Sequence, residues 1–106
     1  MEIRIRAEEI KTYELNEEVS YEEFEGLGYF FIPTTGKIIV MNESSFCLWN
    51  IIKEYASSDK ELSKNEIIKK MGEKFDLSNI PVNVLNEHIQ RALFHFEQEE
   101  FMSMVK

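Results

Sequence analysis

The sequence is poor in residues that build metal and cofactor sites, and in residues that interrupt secondary structure. Cys47 is the one cysteine among 106 residues, which excludes an intramolecular disulfide and a cysteine-based metal cluster. Two prolines and four glycines form no linker, so we expect a single domain over residues 1–106. The apolar run Gly28–Pro33 is too short to span a bilayer, and the charged first residues do not form a signal peptide. We therefore expect a cytoplasmic protein.

Basic residues are also scarce, and the charge is unevenly distributed. The formal net charge is −8, and residues 1–25 contribute −6 of it, with nine glutamates against three basic side chains. This balance disfavours nucleic-acid binding, which needs a basic surface to displace counterions from phosphates. The acidic segment is interpreted either as solvated, partly mobile chain or as a surface that attracts a basic partner.

The residue types used in catalysis are present but are not grouped. His88 and His95 lie two helical turns apart, too far to share one zinc ion without further ligands. Cys47 has no histidine near it in the sequence and is better interpreted as a small buried hydrophobe. The few glycines form no phosphate-binding loop. We therefore expect no enzyme activity, no cofactor and no metal site.

A β-hairpin is the strongest local pattern. Tyr29–Ile32 and Lys37–Met41 are rich in aromatic and β-branched residues, and Pro33–Gly36 between them is typical of a turn. Because both faces of Tyr29–Ile32 are apolar, we expect a central strand that is covered on each side. Helices follow the hairpin directly, so Lys37–Met41 is expected at the edge of the sheet, with unpaired backbone groups.

The segment before the hairpin is less regular. Residues 2–6 and residues 12–15 both show alternating apolar side chains, and either could supply a first strand. Residues 16–25 have no clear period and are expected to form a loop.

Three helices are predicted after the hairpin. Asn42 is a good N-cap for the first, and Ser63 for the second, with Glu66 three residues later. Pro81 suits the first turn of the third helix, and residues 101–105 are expected to form a short extended tail. Strands followed by helices predict an α+β, winged-helix-like domain, with a three-stranded antiparallel sheet followed by three helices.

Several short motifs keep the order found in a known family. Met41-Asn42 stands where a strand ending in Leu-Asn leads into a helix, and Trp49 stands at an apolar position of that helix. The runs LSKNEIIKKMGEKF and VNVLNEHIQRALFHFEQEEFM are similar to the family's next two helices, and Phe101-Met102 to its closing apolar pair. Residues 28–102 thus resemble the PqqD-like family of precursor-peptide recognition elements.

The resemblance implies a stand-alone domain that binds the leader segment of a ribosomally synthesised precursor peptide. Such a domain presents the core peptide to a separate modifying enzyme, for instance a radical enzyme, a protease or a cyclase. In the family the leader docks as an extra strand along the third strand, in a groove walled by the third helix. The matching peptide-binding residues here are Lys37, Ile38, Ile39, Val40 and Met41 on the strand, and Leu85, Ile89, Ala92, Leu93 and Phe96 on the helix.

An exposed edge strand predicts the same mechanism without the resemblance. Its N–H and C=O groups bind an extended chain, while pockets between Ile38, Val40 and the helix accept alternate side chains. The third helix has more apolar residues than one buried stripe requires, so Phe94 and Phe96 are expected to face the groove rather than the core.

Two other functions stay open at this point. A winged-helix transcription regulator would use the lysines of the second helix as phosphate contacts. These are Lys64, Lys69, Lys70 and Lys74. A subunit whose free edge pairs only with itself would instead form a homodimer or a strand-swapped form.

Overall fold

Two β-sheets and three helices make up residues 1–105, the part of the chain that this computed structural model describes. The strands are β1 (Glu2–Arg6), β2 (Ile10–Leu15), β3 (Ser20–Phe24), β4 (Leu27–Ile32), β5 (Lys37–Met41), β6 (Leu62–Ser63) and β7 (Met102–Met104). The helices are α1 (Glu43–Ser58), α2 (Lys64–Gly72) and α3 (Val82–Gln98). The predicted α+β class, with a three-stranded antiparallel sheet followed by three helices, is confirmed.

The hairpin lies in a three-stranded antiparallel sheet with the order β3-β4-β5. Strand β4 is central, as predicted, and Phe30 and Ile32 on its inner face are completely buried. The prediction that both faces are covered is wrong, because Tyr29 and Phe31 on the outer face are 37% and 44% exposed. The helices and the aromatic core lie on the Phe30 side, and an apolar pattern alone does not distinguish a covered face from an exposed one.

The loop predicted over residues 16–25 is a strand over most of its length. Ser20–Phe24 forms β3 and pairs antiparallel with β4, with Tyr21 opposite Phe30. All five side chains of β3 are exposed, and Tyr21, which stacks on the Phe30 ring, is alone too short a signal to give the sequence a hydrophobic period. The pairing partner, rather than local propensity, decides that this segment is extended.

A second sheet contains both of the early segments that were candidates for the first strand. Its order is β6-β1-β2-β7, with β1 and β2 paired antiparallel and β6 parallel to β1. The expectation that one of these segments joins the hairpin's sheet is therefore wrong. Their alternation is real, since Ile3, Ile5, Tyr13 and Leu15 are buried, but alternation does not specify a partner. The predicted extended tail is β7, which pairs with β2.

The predicted helix starts are confirmed. The Asn42 side chain accepts a hydrogen bond from the Ser45 N–H (2.9 Å), and the Ser63 hydroxyl accepts one from the Glu66 N–H (3.2 Å). These side chains satisfy N–H groups that lack partners within the first helical turn. Helix α1 is followed by its C-cap residue Asp59, whose φ of 57° lies in the left-handed region. Within residues 1–105, no helix combines the length and apolarity needed to cross a membrane.

An aromatic cluster joins the hairpin's sheet to α1 and α3. The Trp49 ring lies 5.5 Å from the Phe96 ring and 5.3 Å from the Phe101 ring, and Phe30 lies 5.1 Å from Phe101. The rings meet edge to face, an arrangement that adds to the stabilisation from burial. This cluster fixes the position of α3 relative to strands β4 and β5.

Candidate functional site

Strand β5 has an open edge. It pairs with β4 on one side, and no other strand of residues 1–105 pairs with it on the other. Ile38 and Val40 point to the outer face and are 73% and 53% exposed, whereas Ile39 is half-buried and Met41 is buried. The edge position predicted for Lys37–Met41 is confirmed, and its outward N–H and C=O groups can bind an extended chain.

The two edges of this sheet carry different charges. Strand β3 presents Glu22 and Glu23, and Glu25 follows directly after it. Strand β5 has one charged residue, Lys37, at its first position. Charged side chains along an edge disfavour strand addition, because two such edges would bring like charges together. The β3 edge is therefore protected against pairing, and the β5 edge is not.

Helix α3 meets the hairpin at its C-terminal end. The Lys37 Nζ atom lies 3.5 Å from the Glu99 Oε2 atom, one residue beyond the helix, and the Thr34 hydroxyl donates a hydrogen bond to Glu100. Positions 4, 7 and 11 residues before Glu99 share its side of a helix. These positions are His95, Ala92 and His88, and the two histidines are exposed. The side of α3 that continues into Glu99 therefore carries two exposed histidines and the buried Ala92.

The residues predicted to form the helical wall lie mostly in the core. Ile89, Ala92, Leu93 and Phe96 are at most 7% exposed, and Leu85 is half-buried. Phe96, expected to face the groove, is completely buried, whereas Phe94 is 61% exposed. Phe94 lies about 140° around the helix from Glu99. A peptide-binding role for the buried positions stays a prediction, and the structure gives them a packing role.

Sequence reasoning missed one group of apolar residues beside the free edge. Tyr29 and Phe31 form an exposed apolar row on the outer face of the sheet, next to Ile38 and Val40. Their apolarity is visible in the sequence, but an apolar pattern does not indicate which face of the strand is exposed.

The catalytic candidates are not assembled into a site. Cys47 is buried, as predicted, and its burial raises the pKa of the thiol, with Lys74 acting in the opposite direction. A protonated thiol is a poor nucleophile. Within residues 1–105, no three histidine, cysteine or carboxylate side chains are close enough to hold a metal ion. The expectations that the chain has no catalytic activity and no metal remain predictions.

None of the larger clefts found in the described residues is lined by a residue of β5, and the one of about 400 Å³ at the turn of the hairpin is lined by Thr34, Glu97 and Glu100. One of about 410 Å³ lies between α1 and the end of α2 and is lined by Glu43, Asn50 and Lys74. Another of about 310 Å³ lies between the β1–β2 hairpin and α3, with Tyr13 and Leu93 in its lining. Neither brings together a nucleophile, a base and an oxyanion-binding group, and neither is lined by a residue of β5.

The comparisons with known proteins provide a structural relative only. No protein-family model matches the sequence, and no curated protein matches it. A solved structure described as TbiB1 in complex with the TbiA(beta) leader peptide is similar, with a TM-score of 0.65. The likeness covers 84% of this chain and 93% of that chain, at 11% sequence identity. At this identity the likeness shows a shared fold, and membership of the PqqD-like family stays a prediction.

Proposed function

We propose that this chain is a non-catalytic recognition domain for the leader segment of a ribosomally synthesised precursor peptide. The leader adds to strand β5 as a further strand, and the core peptide is thereby presented to a separate modifying enzyme. The observation that carries the proposal is the open edge of β5, which has Lys37 as its one charged residue and lies opposite an edge that glutamates protect. A cytoplasmic location, where such a precursor is made, is part of the proposal.

Two surfaces would hold the docked strand. The backbone groups of Ile38, Ile39 and Val40 give hydrogen bonds that depend little on the peptide sequence. Side chains alternate across a strand, so every second peptide residue lies on the inner side of the sheet, where the helices pack. The remaining residues lie on the outer face of the sheet.

The structural relative supports this proposal, because the solved structure with the same fold is described as a complex with a leader peptide. The net charge of −8 disfavours the DNA-binding alternative, since a duplex would approach a predominantly acidic surface. The lysines of α2 lie on a partly exposed helix face with Glu66 and Glu73 nearby.

A titration tests the proposal. The precursor peptide encoded by a short reading frame beside the gene is labelled on its leader segment and titrated with the purified chain, and labelled duplex DNA is titrated in parallel. We expect micromolar or tighter binding of the leader and none of the duplex. Salt-sensitive DNA binding without leader binding would overturn the proposal in favour of the regulator.

Proline substitutions locate the binding edge. Alternate residues of β5 direct their N–H groups towards β4 or towards the open edge, so prolines are introduced singly at Ile38, Ile39 and Val40. Where the N–H faces outward, proline keeps the fold and removes a donor that the peptide needs. We expect at least one variant with a native unfolding temperature and lost leader binding. If every folded variant still binds the leader, the peptide binds elsewhere. If sedimentation gives the mass of a dimer, self-pairing of the edge is supported instead.

A further inference from the structure

The outer face of the three-stranded sheet is apolar along β4 and β5, and on β3 it carries Ser20, Glu22 and the exposed Phe24. Two cross-strand rows run across it, Glu22–Tyr29–Val40 and Ser20–Phe31–Ile38. In each row the residue on β3 is polar or charged, and those on β4 and β5 are apolar. The two members on β5 are also more exposed than their neighbours on β4, at 53% and 73% against 37% and 44%.

The exposure of Ile38 and Val40 follows from their position at the edge. Each has an apolar neighbour on one flank, Phe31 or Tyr29, and water on the other. Side chains that stand directly opposite each other in neighbouring strands pack together, and aromatic and β-branched pairs are the favourable ones. A strand added beside β5 would cover the open flank of both residues.

We propose that Ile38 and Val40 select the leader through its outward-facing side chains, in addition to any selection inside the groove. The favoured peptide carries aromatic or β-branched residues at two positions, i and i+2, opposite Ile38 and Val40. This inference rests on the proposed strand addition at β5. No charged side chain of β4 or β5 lies in either row, so a charged peptide residue at these two positions has no partner there.

A selection experiment tests the preference without knowledge of the natural precursor. A displayed library of random dodecapeptides is selected against the wild-type chain and against the double variant Ile38→Thr/Val40→Thr. Threonine keeps the β-branched shape that strands favour, so the variant is expected to fold, and circular dichroism and thermal unfolding check this. The matched control is Ile10→Thr, at a 48% exposed apolar position on the other sheet.

We expect peptides selected on the wild type to share Val, Ile, Phe or Tyr at two positions spaced by two residues. Their affinity should fall roughly 3- to 10-fold on the double variant and stay unchanged on the control. Threonine at the two peptide positions should weaken binding to the wild type but have little further effect on the double variant, as expected for directly coupled pairs.

The outcomes separate this inference from the proposed function. If peptides fail to bind the edge proline variants and yet bind the double variant with the same affinity as the wild type, the selectivity of Ile38 and Val40 is overturned. That result leaves strand addition intact. Peptides that bind all edge variants equally, or a library that gives no binder, overturn both proposals.

Discussion

The ring centroids of Trp49 and Phe96 lie 5.5 Å apart, with an angle of 69° between the ring planes. Trp49 belongs to α1 and Phe96 to α3, so this contact joins the two longest helices. Phe96 also contacts Phe101, which in turn packs on Phe30 of the hairpin's sheet. This cluster sets which side of α3 is buried in the core.

This arrangement predicts a large loss of stability for one phenylalanine variant of α3 and almost no change for another. Phe96→Ala removes a completely buried ring from the cluster and should lower the free energy of unfolding by about 3–5 kcal/mol. Phe94→Ala removes a 61% exposed ring and should change it by less than about 0.5 kcal/mol. Chemical denaturation measures both. Similar losses for the two variants would contradict the core position of Phe96.

Gly28 on β4 lies against two core rings. A methyl group at this position would lie 2.5 Å from the Phe30 ring and 2.7 Å from the Phe46 ring. We expect Gly28→Ala to cost about 1–3 kcal/mol of stability, because neither ring can move without disturbing the core. Gly72→Ala is the control, since its nearest new contact is 3.9 Å away, at Leu77. Thermal unfolding should show a lower temperature for the first variant only.

The glutamates of β3 are expected to prevent self-association. In Glu22→Thr/Glu23→Thr the edge becomes neutral and gains strand propensity, so pairing between copies should increase with concentration. Sedimentation velocity measures the association relative to the wild type. Glu8→Thr/Glu9→Thr removes the same charge from the turn between β1 and β2. Equal association of the two variants would show that net charge, rather than edge protection, is responsible.

A hydrogen bond between helices α1 and α2 predicts a pH effect. The Tyr55 hydroxyl donates to the Glu66 carboxylate at 2.7 Å, and this bond is the main cause that holds the pKa of Glu66 below its ordinary value of 4.5. A carboxyl with a lowered pKa stabilises the fold above its ordinary pKa, and this contribution is lost as pH falls through the folded value. Tyr55→Phe should therefore lower the unfolding temperature at pH 7, and the difference from wild type should shrink below pH 4.5.

The control for this effect is Tyr29→Phe, on the exposed outer face of the sheet. Its unfolding temperature should differ from that of the wild type by an amount that does not change between pH 7 and pH 3. If the unfolding temperatures of Tyr55→Phe and the wild type differ by a constant amount over the same pH range, the role given to the Tyr55–Glu66 hydrogen bond is contradicted.

Local chemistry in the sequence predicted the elements that depend on neighbours along the chain. Asn42 and Ser63 cap helices because their side chains reach backbone N–H groups three residues on. The Pro33–Gly36 turn and its flanking strands followed from turn residues and strand propensity, and Gly36 has the positive φ of 71° that such a turn needs. The edge position of β5 followed from the absence of a further strand before the helices.

The strand β3 and the second sheet could not be predicted in this way. Every side chain of Ser20–Phe24 is exposed, and the pairing with β4 makes this segment a strand. For the site, the sequence predicted the strand Lys37–Met41 but not which apolar residues of α3 are buried. Helical spacing left Ile89 and Leu93 open between the core and a groove. The expectation that Phe96 faces the groove is wrong, because Phe96 packs against Trp49 in the core.

The sequence by itself determined the class of fold, the helix starts and the hairpin, because each depends on residue type and short spacing. Only the tertiary structure decided that β3 pairs with the other side of β4, that Tyr29 and Phe31 face water, and that Glu99 and Glu100 meet the hairpin just beyond α3. The reason is that the exposure of a side chain and the pairing of a strand depend on segments that are distant in the sequence. These segments take their relative positions only when the aromatic core has packed.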